Sequence, residues 1–213
     1  MKVAASSLAP ILRSDTQGRI LARLFEDPDA EHTLTDLAHG AGTSFPTAQR
    51  EINRALAAEI VTERRVGPAR LVRANAVHPL FDALRQLLLA TYGPPAVVAR
   101  EFAGLDGARA VLLFGSWAAR YAGQPGRAPN DVDVLVLGDA DRDAVDDAAE
   151  RAERQIGLPV QATVRSLAQW RKEQESFITE VKKRPLIPVL VDEQDAGLLG
   201  ELDRLTGQHP VTR

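Results

Sequence analysis

The chain has no cysteine among its 213 residues, which excludes disulfides and cysteine-based zinc sites and leaves the redox compartment unmarked. Its four histidines, His32, His39, His78 and His209, are scattered without metal-ligand spacing, so each reads as a turn or surface residue. There is no Gly-x-x-x-x-Gly-Lys motif, and the P-loop route to phosphate binding is excluded with it. No apolar run approaches the length of a membrane span, since Leu87-Leu88-Leu89 sits inside an amphipathic pattern. The opening residues, MKVAASSLAPILRSD, carry one lysine and no apolar core of signal-peptide length, so a cytoplasmic location away from membranes is expected. Internal repeats and low-complexity blocks are missing as well.

What is present suits one large domain or two modest ones: 45% hydrophobic and 26% charged residues, with a net charge of -3. That sum does not advertise nucleic-acid binding. The charges are unevenly spread, however. Arg50, Arg54, Arg64, Arg65, Arg70 and Arg73 fall in a short window, while Asp139 to Glu153 is acid-rich. A local basic patch matters more to a polyanion than the total.

Residues 1–75 read as a small helical domain ending in a hairpin. Ser14 with Gln17 three positions on is a capping signal, and Ile20, Leu21, Leu24 and Phe25 form a helical stripe that stops at Asp27-Pro28. Thr35 is placed to cap a short helix carrying Leu37 and Ala38, broken by Gly40-Ala41-Gly42. Ser44 caps a third helix with Ala48, Ile52, Leu56 and Ile60 inward and Thr47, Arg50, Glu51 and Arg54 outward. Two strands then flank Gly67-Pro68. Over 76–103, His78-Pro79 starts a helix with Leu80, Phe81, Leu84, Leu87 and Leu88 on one side. It reads as a connecting or dimer-forming helix, followed by a shorter one around Val97 to Phe102.

The remainder is organised around Ala110 to Leu137. Val111-Leu112-Leu113-Phe114 suits a buried strand and stops at Gly115-Ser116. A short helix through Tyr121 and a Gly- and Pro-rich loop lead to a second strand, Asp131-Val132-Asp133-Val134-Leu135-Val136. Period-two geometry puts Asp131 and Asp133 on one face and the valines on the other. Two carboxylates on one face of an apolar strand repel, and burial raises the cost. A divalent cation relieves both penalties, and hard oxygen ligands beside phosphate favour Mg²⁺. Gly115 lets a phosphate approach the backbone and Ser116 adds a donor. Arg120 and Arg127 flank the place where a triphosphate would lie. Trp117 reads as packing, with a base pocket as the alternative. After an amphipathic helix bearing Val145, Ala148, Ala149, Ala152 and Ile156, the strand at Val160 completes a βαβ unit. Leu186 to Val191 is an edge strand because of Pro188.

Gly115-Ser116 followed by Asp131-Val132-Asp133 resembles, in minimal form, the DNA polymerase β-type nucleotidyltransferase superfamily. The resemblance implies that Gly115 and Ser116 hold an NTP triphosphate and that Asp131 and Asp133 bind two Mg²⁺ ions. A third carboxylate is expected on the next strand, where Gln161 stands. An amide can coordinate through its carbonyl oxygen but cannot accept a proton as a base. The first seventy-five residues resemble a winged helix-turn-helix of bacterial transcription regulators. That implies Ser44, Thr47, Arg50 and Arg54 in the major groove, with Arg64, Arg65 and Arg70 on phosphates. The expected fold class is therefore α+β: a winged helix-turn-helix over 1–75, connecting helices over 76–103, and a nucleotidyltransferase-like α/β domain with a small mixed sheet over 104–213. The expected function is a DNA-bound regulator, in the form of a homodimer, whose second domain binds Mg-NTP and transfers a nucleotidyl group. The alternative is a non-catalytic regulator, or an antitoxin-like use in which a toxin or other partner protein is the acceptor.

Overall fold

Ser14 Oγ accepts a hydrogen bond from the Gln17 backbone N–H at 3.2 Å and starts α1 (Asp15–Glu26). The computed structural model describes residues 12, 14–126, 129–172 and 176–208. They form an α+β chain with small sheets, divided into one unit that runs to Ala96 and another from Val97 onward.

In the first unit, β1 (His32–Thr33) leads into α2 (Leu34–Gly40). Its cap is Thr33 rather than Thr35. Thr33 Oγ1 accepts from Asp36 N at 3.1 Å while Asp36 Oδ2 accepts from Thr33 N at 3.2 Å, and this reciprocal box satisfies two otherwise unpaired donors. Gly42, at φ 62°, makes the turn into α3 (Phe45–Ala57). Ser44 precedes that helix, but its hydroxyl donates to Thr47 Oγ1 at 3.0 Å and caps no backbone N–H. β2 (Val61–Val66) and β3 (Ala69–Ala74) form a hairpin, and β1 adds to β3 to give an antiparallel sheet in the order β1-β3-β2.

α4 (Phe81–Tyr92) belongs to this first unit. Leu88 is buried in its core, Phe81, Leu84 and Leu87 pack against the same core, and Phe81 stacks on Phe25 at 5.3 Å. Most of the apolar stripe is thus taken up in this unit's core, while Leu80 stays exposed. α5 (Pro94–Glu101) carries Val97 and Val98, which are buried with Phe102 in the second unit's core. The segment expected to form a separate connector over 76–103 is therefore shared between the two units.

The second unit is built on a mixed sheet in the order β6-β5-β4-β7. β4 (Ala108–Phe114) is followed by α6 (Gly115–Tyr121), β5 (Val132–Gly138), α7 (Arg142–Ile156) and β6 (Val160–Arg165). β5 and β6 are parallel and joined through α7, as a βαβ unit requires, while β4 runs antiparallel to β5. α8 (Leu167–Arg171) and α9 (Ser176–Lys182) precede β7 (Ile187–Val191), and α10 (Ala196–Gln208) ends the described chain. Pro188 lies on the edge strand, opposite Leu112 where the register shifts. Alternation splits the sheet's side chains between two cores. Val111, Leu113, Val132, Val134 and Val136 pack with α7 on one face, and Ala110, Leu112, Leu135 and Leu137 pack with Trp170, Ile178 and Leu198 on the other. Trp117 is buried in this unit's core and stacks on Tyr121 at 5.2 Å, as the packing reading expects. Among the described residues no helix is long and apolar enough to cross a membrane.

Candidate functional site

The site forms where the hairpin-like pair β4 and β5 loses its apolar side chains. Phe114 is the last residue of β4 and pairs across the ladder with Asp133. Leu137, Leu135 and Asp133 share one face of β5, so the apolar row of that face ends in a carboxylate. Gly115 follows Phe114 at φ 73°, and a Cβ there would overlap Asp133 Oδ2. Glycine is required at that position twice over, by its left-handed backbone and by the carboxylate seated on its Cα.

Asp131 lies just ahead of β5 rather than within it, at the strand's mouth as the spacing predicts. Gln161 of β6 stands opposite Asp133 in the parallel register. Its side chain is exposed, and its Nε2 donates to Asp131 Oδ2 at 3.0 Å. Asp133 is half-buried, and burial first, then the Asp131 charge, pushes its carboxyl above the usual carboxylate range.

A cleft of about 360 Å³ opens beside Asp131, with Ser116, Arg120 and Asn130 among its other described walls; Gly115, Asp133 and Gln161 are not among them. Ser116 is exposed, and Arg120 is held by an Nη1 bond to the Gln124 carbonyl at 3.0 Å. Arg127, the other cation expected here, lies outside the described residues. Asn130 is a wall that sequence reasoning missed, because nothing in a Gly- and Pro-rich loop says which residue turns inward.

The donor set decides what the site can hold. Among the described residues no group of three or more His, Cys, Asp or Glu could hold a metal. Two carboxylates, with Ser116 nearby, fall short of an all-protein cation cage. They match Mg²⁺, which is commonly bound by one or two carboxylates together with substrate phosphates and water.

The basic window of the first unit is more neutral than its sequence suggests. Arg54 donates to Glu51 at 2.7 Å, and Glu51, expected on the outer face, is buried. Arg64 Nε donates to Glu31 at 2.6 Å. Arg70 Nε donates to Glu63 at 2.8 Å and its Nη2 to Asn53 at 3.0 Å. Arg50 is exposed and donates to Thr47 at 3.1 Å, while Arg65 is exposed opposite Arg70 in the hairpin register. Ser44, Thr47 and Arg50 thus cluster at the start of α3, and three of the expected phosphate or groove contacts are engaged by acids.

No family model matches the chain and no curated protein matches it. Among solved structures it is similar to a toxin–antitoxin crystallised with AMP-PNP, at 18% identity and a TM-score of 0.36, over 54% of this chain and 87% of that one. It is also similar to a tri-AMPylated HEPN toxin from Shewanella oneidensis in complex with MNT antitoxin, at 16% identity and a TM-score of 0.29, over 54% of this chain and 91% of that one. Likenesses this distant assign no residue a role.

Proposed function

We propose that the unit from Val97 onward binds a nucleoside triphosphate with Mg²⁺ and transfers its nucleotidyl group to an acceptor, and that the unit before it is a winged helix-turn-helix that binds DNA. The observation that carries the first part is the Asp131–Asp133 pair, with Asp133 seated on a left-handed Gly115 and a cleft beside Asp131. Such an arrangement is costly for a strand end with no charged ligand, and a cation–triphosphate complex relieves it.

In this reading Asp131 and Asp133 hold the cation, which when bound neutralises phosphate charge and polarises the phosphoryl oxygens. Ser116 donates its hydroxyl to a phosphate oxygen, and Arg120 sets a positive charge in the cleft wall. The acceptor oxygen attacks the α-phosphorus in line; the new P–O bond forms as the bond to the β-phosphate's bridging oxygen breaks, and pyrophosphate leaves. Gln161 takes no proton in this step, so the acceptor's proton passes to water or the acceptor arrives ionised.

Gln161 also favours a second reading, in which nucleotide is bound without transfer and tunes the DNA-binding unit or a partner protein. Calorimetry with each NTP and Mg²⁺ on the wild type and Asp133→Ala, followed by labelled-NTP incorporation, separates the readings. Binding in the wild type and none in the variant supports the site. Incorporation that is lost in Asp131→Ala/Asp133→Ala supports transfer, and binding without incorporation supports the second reading. A wild type that binds no NTP removes both.

For the first unit, the support is the order of α1, α2, a tight turn, α3 and the β2–β3 hairpin, with Thr47 and Arg50 outward at the start of α3. Two Mg²⁺ ions complete the proposal as an expectation from the nucleotidyltransferase resemblance, and a homodimer as an expectation from the apolar helix that follows His78-Pro79.

A further inference from the structure

Gln161 is the residue that the proposed reaction leaves unused, yet its amide donates a hydrogen bond to the carboxylate pair. Its place is specific. It stands across from Asp133 in the β5–β6 register, on the strand neighbouring both carboxylates, and it offers an amide where an acid would add a third charged oxygen ligand.

Counting donors shows what that substitution does. A divalent cation such as Mg²⁺ or Mn²⁺ takes about six oxygens, and its retention by protein alone rises with the number of charged ligands. Here Asp131 Oδ2 accepts from the Gln161 amide, which occupies one of the pair's four oxygens. No third His, Cys, Asp or Glu joins the pair among the described residues. The remaining ligands must come from water or from a bound phosphate chain. The amide has a second effect: as a neutral donor it offsets the repulsion between Asp131 and Asp133 when no cation is there, and so holds Asp131 in place beside the cleft.

Resting on the nucleotide-binding reading above, we propose that Gln161 is a positioning residue that couples cation to nucleotide: by holding Asp131 through its amide and withholding a third carboxylate, it makes the site take a divalent cation only together with a triphosphate. The site then stays free of cation until nucleotide arrives, and the nucleotide is retained only with the cation.

The experiment titrates the full chain with Mn²⁺ followed by electron paramagnetic resonance, with and without a non-hydrolysable ATP analogue, and follows thermal unfolding under the same conditions. Wild type is expected to bind Mn²⁺ with the analogue and to leave it free without. Gln161→Glu is expected to bind Mn²⁺ alone about tenfold or more tighter than wild type. Its unfolding temperature should fall in chelator and recover with Mn²⁺, a crossover that a merely structural role would not produce. Gln161→Asp provides the same charge on a shorter arm if Gln161→Glu does not fold. Gln161→Ala should keep the dependence on nucleotide while binding the pair of ligands several-fold more weakly, as loss of an orienting bond does. Tight Mn²⁺ binding by wild type without the analogue overturns the coupling and leaves the nucleotide site standing, as does a Gln161→Glu or Gln161→Asp chain that gains nothing. No Mn²⁺ binding by wild type even with the analogue overturns the nucleotide reading itself.

Discussion

At the scale of single residues, the site's chemistry is set by how Gly115 and Asp133 share space. A methyl group at position 115 meets Asp133 Oδ2, and the φ of 73° is unfavourable for any L-residue. Gly115→Ala is therefore expected to cost about 1–3 kcal/mol of stability in a denaturant titration, and to abolish NTP binding by displacing the carboxylate. An unchanged midpoint would mean that the backbone at this turn is not held as described. Asp133 itself makes a second prediction. Burial and the Asp131 charge raise its folded pKa above the unfolded value. The folded chain thus holds that proton more tightly, and the stability it contributes is complete below the unfolded pKa and lost as pH rises through the folded one. Asp133→Asn removes that loss. The variant should melt higher than wild type at neutral pH, converge with it in acid below the ordinary carboxylate range, and bind no Mg-NTP at any pH. A variant that melts lower at neutral pH would contradict the assigned sign.

At the scale of elements, much of the second unit could be read in advance. The period of two in Asp131 to Val136 and the 3.6 period of Val145 to Ile156 each leave one packing solution, so β5, α7 and β6 stand where the sequence suggests. The cap of α2 was legible too. Thr33 has an acid three residues on and Thr35 has alanine, so only Thr33 can close a capping box. The burial of Glu51 was not legible. It borders the stripe of Ala48, Ile52 and Ala55, and whether a bordering residue is covered depends on what packs there rather than on its own period. The same limit applies to Arg70, whose acid Glu63 is brought near by the β2–β3 pairing, and to Arg64, whose acid Glu31 lies just ahead of β1 on the far side of β3. Exposed pairs of this kind contribute little, roughly 0–1 kcal/mol, and a phosphate can replace the carboxylate at small cost. DNA binding by the first unit should therefore be seen at low salt in a gel-shift titration. Arg65→Ala should lower the log–log salt slope by about one, whereas Arg50→Ala should cost about 1–3 kcal/mol of binding and relax sequence preference. Absence of any shift at low salt would exclude α3 and the hairpin as a DNA surface.

At the scale of the whole chain, each unit has its own apolar core. Leu24, Phe25, Ile52, Val72 and Leu88 close the first, while the second places its sheet between two clusters that include Val134 on one side and Leu135 on the other. Separate cores license separate cooperative transitions. Calorimetry is expected to resolve two, and a truncation in each core assigns them. Ile52→Ala should lower one transition and Leu135→Ala the other, each by about 2–5 kcal/mol, because both side chains are fully buried. A non-hydrolysable NTP with Mg²⁺ should then raise only the transition that Leu135→Ala lowers, by an amount that grows logarithmically with free ligand. A single transition would contradict that expectation. In that event either truncation would lower the single transition and the nucleotide would raise it, which would mean that ligand binding in one unit stabilises the other, the minimum needed for a nucleotide to alter DNA affinity. Two transitions with only one moved by ligand would instead give two functions that share a chain without communicating.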